Sequence, residues 1–291
     1  ATVAATENYE KGSTSYTLTV NKARLVVNGT PVVQDKYYDG TADAVVTVSF
    51  ADGNNALLKL KPTTDYTVTG TFSSPNASTS KQEVSIKIEL KGDYAKNYEL
   101  KEDTYTAYAY INAKPISIVS ATAVGREYKM GDTSVTISDV TFKDAIPGTL
   151  TEGEDYTVTG EMADADAGTK NVTVKVTLRK EAANNYIFED DKNTTTTTVE
   201  ISKATPVITA ATWKTLMNNG IAVDISDWAT FNNTDGAKLI YKLWDAIPEG
   251  VTLDENNMLK AENTVSDKRS FAIEVTAEAT KNFEKPETQY I

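Results

Sequence analysis

The hexapeptide Asp-Tyr-Thr-Val-Thr-Gly occurs twice in this chain, at Asp65–Gly70 and again at Asp155–Gly160, an offset of 90 residues. Six identical residues at a fixed spacing mark an internal repeat, which sets the size of the folding module before any element is assigned. The flanking sequence agrees. Val84, Ile86, Ile88 and Leu90 alternate with Ser85, Lys87 and Glu89, and Val172, Val174, Val176 and Leu178 alternate with Thr173, Lys175 and Thr177. A period of two puts an apolar row and a polar row on opposite faces, so each run predicts a half-buried strand. An Asn-Tyr pair follows in both copies, Asn97-Tyr98 and Asn185-Tyr186, leading into β-rich runs from Tyr105 to Ile111 and from Thr194 to Ile201. Both runs end in a Lys/Ala/Pro junction, Ala113-Lys114-Pro115 and Lys203-Ala204-Thr205-Pro206. Proline lacks an N–H and fixes φ, which suits a short, stiff connection at a strand edge.

The start of the chain repeats the same ending, with Asn8-Tyr9, a β-prone stretch from Ser15 to Val20, and Asn21-Lys22-Ala23. Residues 1–22 therefore read as the tail strand of a preceding repeat, with a longer parent chain expected ahead of Ala1. An orphan strand of this kind must find another sheet edge, or it frays or swaps. The expected domains are the tail 1–22, a first repeat 23–113, a second repeat 114–203 and a divergent third segment 204–291. That third segment keeps Asn282-Phe283 but has no copy of the hexapeptide. No segment shows sustained 3.6-residue apolar spacing with caps, so almost no helix is expected.

Short strands at this density, punctuated by turn signals such as Asp52-Gly53-Asn54-Asn55 and Asn256-Asn257, predict an all-β chain of tandem immunoglobulin-like antiparallel β-sandwich domains. In such sandwiches a Tyr near a strand start anchors the neighbouring corner through its hydroxyl. Tyr98 and Tyr186 fit that role, and an ordinary half-buried Tyr fits them equally. Phe283 has no hydroxyl to offer.

Composition narrows the chemistry. With no Cys and no His, the chain has no disulfide framework, thiol nucleophile, Ser/His/Asp relay, or Cys- or His-based metal site. A net charge of −12, spread along the chain, repels phosphate backbones and anionic headgroups, so neither nucleic acid nor a membrane surface is an expected partner. No apolar run approaches the ~18 residues that a membrane span needs. Residues 1–11 lack the basic start and apolar middle of a secretion signal, so export would require a leader that is absent here.

With these marks in order, residues 1–203 resemble the YDG/MBG-type repeats of large bacterial surface proteins and adhesins. The naming motif stands at Tyr38-Asp39-Gly40-Thr41; the second repeat reads Tyr128-Lys129-Met130-Gly131-Asp132 there. The second repeat in turn carries Asp166-Ala167-Gly168-Thr169-Lys170 before its alternating strand, where the first has Ser74-Pro75-Asn76. Residues 205–291 resemble a bacterial immunoglobulin- or cadherin-like domain through Ile247-Pro248-Glu249-Gly250-Val251-Thr252-Leu253-Asp254. Both resemblances imply spacers and adhesive modules outside the cell, at a bacterial, outer-membrane-associated surface, with no catalytic residue to carry over.

Candidate sites are few. Asp164-Ala165-Asp166 has the alternating oxygens of a calcium loop, but Ala167-Gly168-Thr169 breaks the pattern and cadherin-type bridging motifs are missing at both junctions, so a solvated turn is expected and no metal or cofactor is assigned. All three Trp lie in the third segment. Trp244, in the alternating run Leu239 to Trp244, is expected in the core; Trp213 and Trp228, among polar and turn residues, are either core or a platform for sugar rings. In the run from Tyr105, Tyr108 and Tyr110 share a face opposite Tyr105, as an adhesive patch or simply as good strand formers. Nothing selects a pair among 41 acidic residues for glycoside hydrolysis, so no enzyme is expected. The resulting expectation is a monomeric structural or adhesive part of a longer surface protein whose partner is an unknown protein or glycan. The alternative is a glycan-binding protein of a polysaccharide uptake system, binding through its third domain.

Overall fold

The structure is a computed structural model describing residues 1–54, 56–262 and 269–291, so Asn55 of the first turn signal lies outside the described residues. The chain is all-β and divides into two compact units. One comprises Ala1–Ile116, Asp144–Asp155 and Leu178–Glu189; the other comprises Ser117–Lys143, Tyr156–Thr177 and Asp190–Ile291.

In the first unit two four-stranded sheets enclose one core. One sheet runs in the order Thr104–Ala109, Gln82–Leu90, Tyr66–Phe72, Asp43–Ala44; the other in the order Tyr98–Leu100, Ala23–Val27, Phe50–Asp52, Leu57–Leu58. The repeated hexapeptide lies on a hairpin with the alternating run, in the register Tyr66↔Leu90 through Phe72↔Val84. Parity then decides burial: Val84, Ile86 and Ile88 meet Leu25, Phe50, Tyr66 and Phe72 in the core. Each buried aliphatic side chain of this size contributes about 1.5–3 kcal/mol. The pairings Tyr98↔Ala23 and Ile111↔Lys36 are parallel. The unit also holds the parallel pairing Lys114↔Tyr186.

The second unit contains a five-stranded sheet in the order Arg126–Glu127, Thr194–Ser202, Gly168–Leu178, Tyr156–Met162, Ser134–Val135. The threonine run from Thr194 is thus an alternating strand with Val199 and Ile201 turned inward. Further on, Ile208, Ile225, Tyr241, Leu259, Ile273 and Val275 form a separate core. There the landmark aromatic again pairs in parallel with a junction residue, Ala204↔Phe283.

Two sequence expectations change here. Ser15 to Val20 forms no strand, and the β-structure of residues 1–22 is the hairpin pair Thr2–Val3 and Gly12–Ser13. Its apolar row faces solvent, with Tyr16, Leu18 and Val20 more than four-fifths exposed. The expectation of almost no helix holds, since the α-helices described are the short ones at Gly92–Asn97 and Ala182–Asn185, which end immediately before Tyr98 and Tyr186. At one or two turns they are too short to display helical apolar periodicity. Trp244 is exposed rather than buried. It shares parity with outward Lys242, opposite to buried Tyr241, and the strand Ile240–Leu243 stops just before it.

The glycine that closes the hexapeptide has a packing reason. A Cβ on Gly160 would stand 2.8 Å from Ile137 Cδ1, 3.0 Å from the Val135 carbonyl and 3.1 Å from Val172 Cγ1. The neighbouring strand therefore crosses against bare backbone, as it does at Gly70, where a Cβ would collide with Val46. Gly160→Ala should lower stability by about 1–3 kcal/mol, the usual penalty for overpacking, read as a reduced urea midpoint at unchanged slope.

Candidate functional site

The YDG turn forms from its own residues. Gly40 adopts φ +81°, a region that costs glycine little. Asp39 Oδ1 accepts from the Thr41 amide and hydroxyl, both at 2.9 Å, and from Lys36 Nζ at 2.8 Å. Burial raises the Asp39 pKa, but the hydrogen bonds from Lys36 and Thr41 outweigh it and hold the group below its ordinary value. The turn fixes Tyr38, whose amide donates to the Asn112 carbonyl at 2.9 Å.

The second repeat builds the same device from different letters. Gly131 has φ +71°, Arg126 occupies the place of Lys36, and the Tyr128 amide donates to the Ser202 carbonyl at 2.8 Å. Asp132 accepts from the Ser134 hydroxyl at 2.6 Å and amide at 3.0 Å, and pairs with Lys129 at 3.2 Å. Those bonds, the Ser134 hydroxyl foremost, lower its pKa to about 2.

Each of these tyrosines meets the aromatic of a later Asn-aromatic pair. Tyr38 packs edge-on against Tyr186, with ring centroids 5.3 Å apart at 83°. Tyr128 packs the same way against Phe283, at 5.4 Å and 72°. The asparagines reach the hairpin loop of the earlier repeat. Asn185 Oδ1 accepts from the buried Ala77 amide at 2.8 Å, and its Nδ2 donates to Asn76 Oδ1 at 3.0 Å. Asn282 Oδ1 accepts from the Ala167 amide at 2.8 Å, and its Nδ2 donates to Asp166 Oδ1 at 3.0 Å and Asp235 Oδ1 at 3.2 Å. Both asparagines are only 4% exposed. Tyr38 and Tyr128, Asn76 and Asp166, and Ala77 and Ala167 all stand 90 residues apart, so one clasp is built twice.

Local elements aim the clasp. The short helix presents Asn185 at its last position, and parallel pairing of Tyr186 with Lys114 fixes the aromatic. The Tyr186 hydroxyl accepts from the Ile146 amide at 3.2 Å and bonds the Thr149 hydroxyl at 2.5 Å, tying the ring to a neighbouring corner. In the other clasp Lys203 Nζ donates to the Thr280 carbonyl at 2.8 Å, and Asp235 accepts from the Asn282 amide at 2.8 Å.

The remaining candidate residues divide. Asp164 accepts from Lys170 at 2.5 Å, and Asp166 forms an ion pair with Lys281, so lysine ammoniums already neutralise that turn. The hydrogen bond from Lys281, then that from Asn282, lowers the Asp166 pKa. Among the described residues no group of three or more acidic side chains is arranged to hold a metal. Trp213 is 75% exposed, whereas Trp228 packs on the third-segment core with Lys214 5.8 Å above its ring. Trp244 lies 5.9 Å from Tyr290, centroid to centroid. Tyr108 faces solvent, Tyr110 lies under Lys81, and Tyr105 packs on the core from the other face. Tyr98 stacks on Tyr94 at 5.3 Å. Among the described residues no helix is long and apolar enough to cross a membrane. Sequence reading found the Asn-aromatic pairs but not their partners, for which only the 90-residue spacing of Tyr38 and Tyr128 offered a signal.

Residues 21–107, the stretch containing Tyr38-Asp39-Gly40, match the family model described as YDG domain. No curated protein sequence matches the chain. Among solved structures the chain is similar to Drosophila N-cadherin EC1-4, with 12% identity covering 89% of this chain and 72% of that one, at a TM-score of 0.26. It is also similar to the protocadherin gamma B4 extracellular domain, with 11% identity covering 93% of this chain and 51% of that one, at a TM-score of 0.24. Scores of that size carry no weight for function.

Removing either clasp amide strands a buried backbone donor. Asn185→Ala and Asn282→Ala should each cost about 1–3 kcal/mol in urea unfolding. Acid should act through Asp132. Its folded pKa lies below the ordinary 3.8, so its stabilisation is present above that value and fades as pH falls towards about 2. Asp132→Asn should therefore melt below the parent chain at pH 7, with the gap closing between pH 4 and 2.

Proposed function

We propose that this chain is a non-catalytic structural and adhesive segment of a bacterial cell-surface protein, with repeats at 23–113 and 114–203 forming a stalk for the third segment at 204–291. Residues 1–22 are then the tail strand of a preceding repeat. The observation that carries this reading is the duplicated clasp. Side chains from one repeat satisfy backbone and side-chain groups of the repeat before it, and one residue, Ala113, separates the strands Ile111–Asn112 and Lys114–Ala123. A junction without slack resists bending, which suits a spacer better than a flexible tether. The YDG match over residues 21–107 supports a module of this class, and the net charge of −12 supports a partner that is neither nucleic acid nor an anionic membrane.

A second reading, glycan binding by the third segment, draws on the exposed Trp213 and the exposed Trp244 beside Tyr290. Aromatic faces in solvent are suited to stacking on sugar rings, whereas Trp228 is largely committed to packing.

Two measurements separate these readings. Antibody raised against the chain should label intact cells of the producing bacterium; labelling only after lysis would contradict a surface role. A glycan array probed with the chain should stay blank if the third segment is merely carried. A signal abolished by Trp213→Ala with Trp244→Ala would favour the second reading.

A further inference from the structure

The first repeat carries the same Asn-aromatic apparatus, and among the described residues no loop is clasped in it. Tyr98 pairs in parallel with Ala23, as Tyr186 does with Lys114 and Phe283 with Ala204. Lys22, just before that pairing, donates to the Ala95 carbonyl at 2.5 Å, three residues ahead of the aromatic. Lys203 makes the matching bond to Thr280, three residues ahead of Phe283. Asn97 ends its short helix, as Asn185 ends the other. Backbone pairing, lysine anchor and helix are therefore all set. The difference is burial: Asn97 is exposed and Tyr98 only partly buried, whereas Asn185 is 4% and Tyr186 3% exposed. What buries the other two pairs is a hairpin loop with an Asn-Ala or Asp-Ala step and a turn-held Tyr.

We propose that Asn97 and Tyr98 form an open socket for a preceding β-sandwich repeat of this same kind, whose loop amide and Asn or Asp side chain would bond the Asn97 carboxamide and whose turn Tyr would pack on Tyr98. The occupant is argued from the chain itself. The two filled sockets hold repeat loops, and residues 1–22 repeat the terminal marks Asn-Tyr and Asn-Lys-Ala that precede a junction. The row Tyr16, Leu18 and Val20, exposed at 83–86%, also has the parity of a last strand without its sheet. Tyr94, where the filled sockets have Ala182 and Ala279, stacks on Tyr98 and broadens the aromatic surface offered to the newcomer.

The inference rests on the tandem-repeat reading above, but its test is separate. In the chain as it stands, Asn97→Ala should leave the urea midpoint unchanged, because no neighbour is lost. In a chain with residues 23–112 placed ahead in place of residues 1–21, Asn97 meets a second Asn76-Ala77 loop and a second Tyr38. There Asn97→Ala should lower the midpoint as much as Asn185→Ala does. An unchanged midpoint in both backgrounds overturns the socket while leaving the surface role intact. If the lengthened chain does not fold, hydrogen exchange on the natural parent protein decides. Residues 92–100 should be protected there to the level of 182–188, and exchange as fast as in the 291-residue chain overturns the proposal, as does a gene with no such repeat upstream.

Discussion

A buried carboxamide is the interaction on which the junctions depend. Asn185 and Asn282 each place an acceptor and a donor where water does not reach, and each group has a partner within 3.0 Å. A satisfied pair of this kind contributes modestly, but leaving either group unmatched is costly. Carboxamide geometry is also directional, so it discriminates position more sharply than apolar contact does. The adjoining aromatic pair supplies area, and the asparagine supplies register.

Much of the surrounding architecture serves to present that side chain. Parallel pairing ties Tyr98 to Ala23, Tyr186 to Lys114 and Phe283 to Ala204, and for the first two it sets the short helix just before the aromatic against the strand that opens the same repeat. The YDG turn does the complementary task on the other repeat, locking Tyr38 through Asp39 and Lys36. Arg126 and Asp132 reach the same end around Gly131, which explains how the second repeat can lose the motif's letters and keep its function.

The two clasps differ in their electrostatics. Around Asn185 the polar partners are a neutral amide and a backbone N–H. Around Asn282 they include Asp166 and Asp235, with Lys281 balancing the former. Burial raises the Asp235 pKa, but hydrogen bonds from Asn282 and Thr280 more than offset this, and the net shift is downward. Acid and salt therefore act on the second clasp more than on the first. Repeats, strand parity and both Asn-aromatic pairs were legible in the sequence because they are local and periodic. The clasps were not, because Asn185 and Ala77 lie 108 residues apart and nothing local marks them as partners. Trp244 misled for a related reason: its run alternates as a central strand would, but the last residue falls on the outward parity.

The most direct test of the clasp is native-state hydrogen exchange at the Ala77 and Ala167 amides. If Asn185 and Asn282 hold them, both should exchange only on unfolding of their units, and each should become fast when its own asparagine, and not the other, is replaced by Ala. Rapid exchange of both amides in the unaltered chain would contradict it.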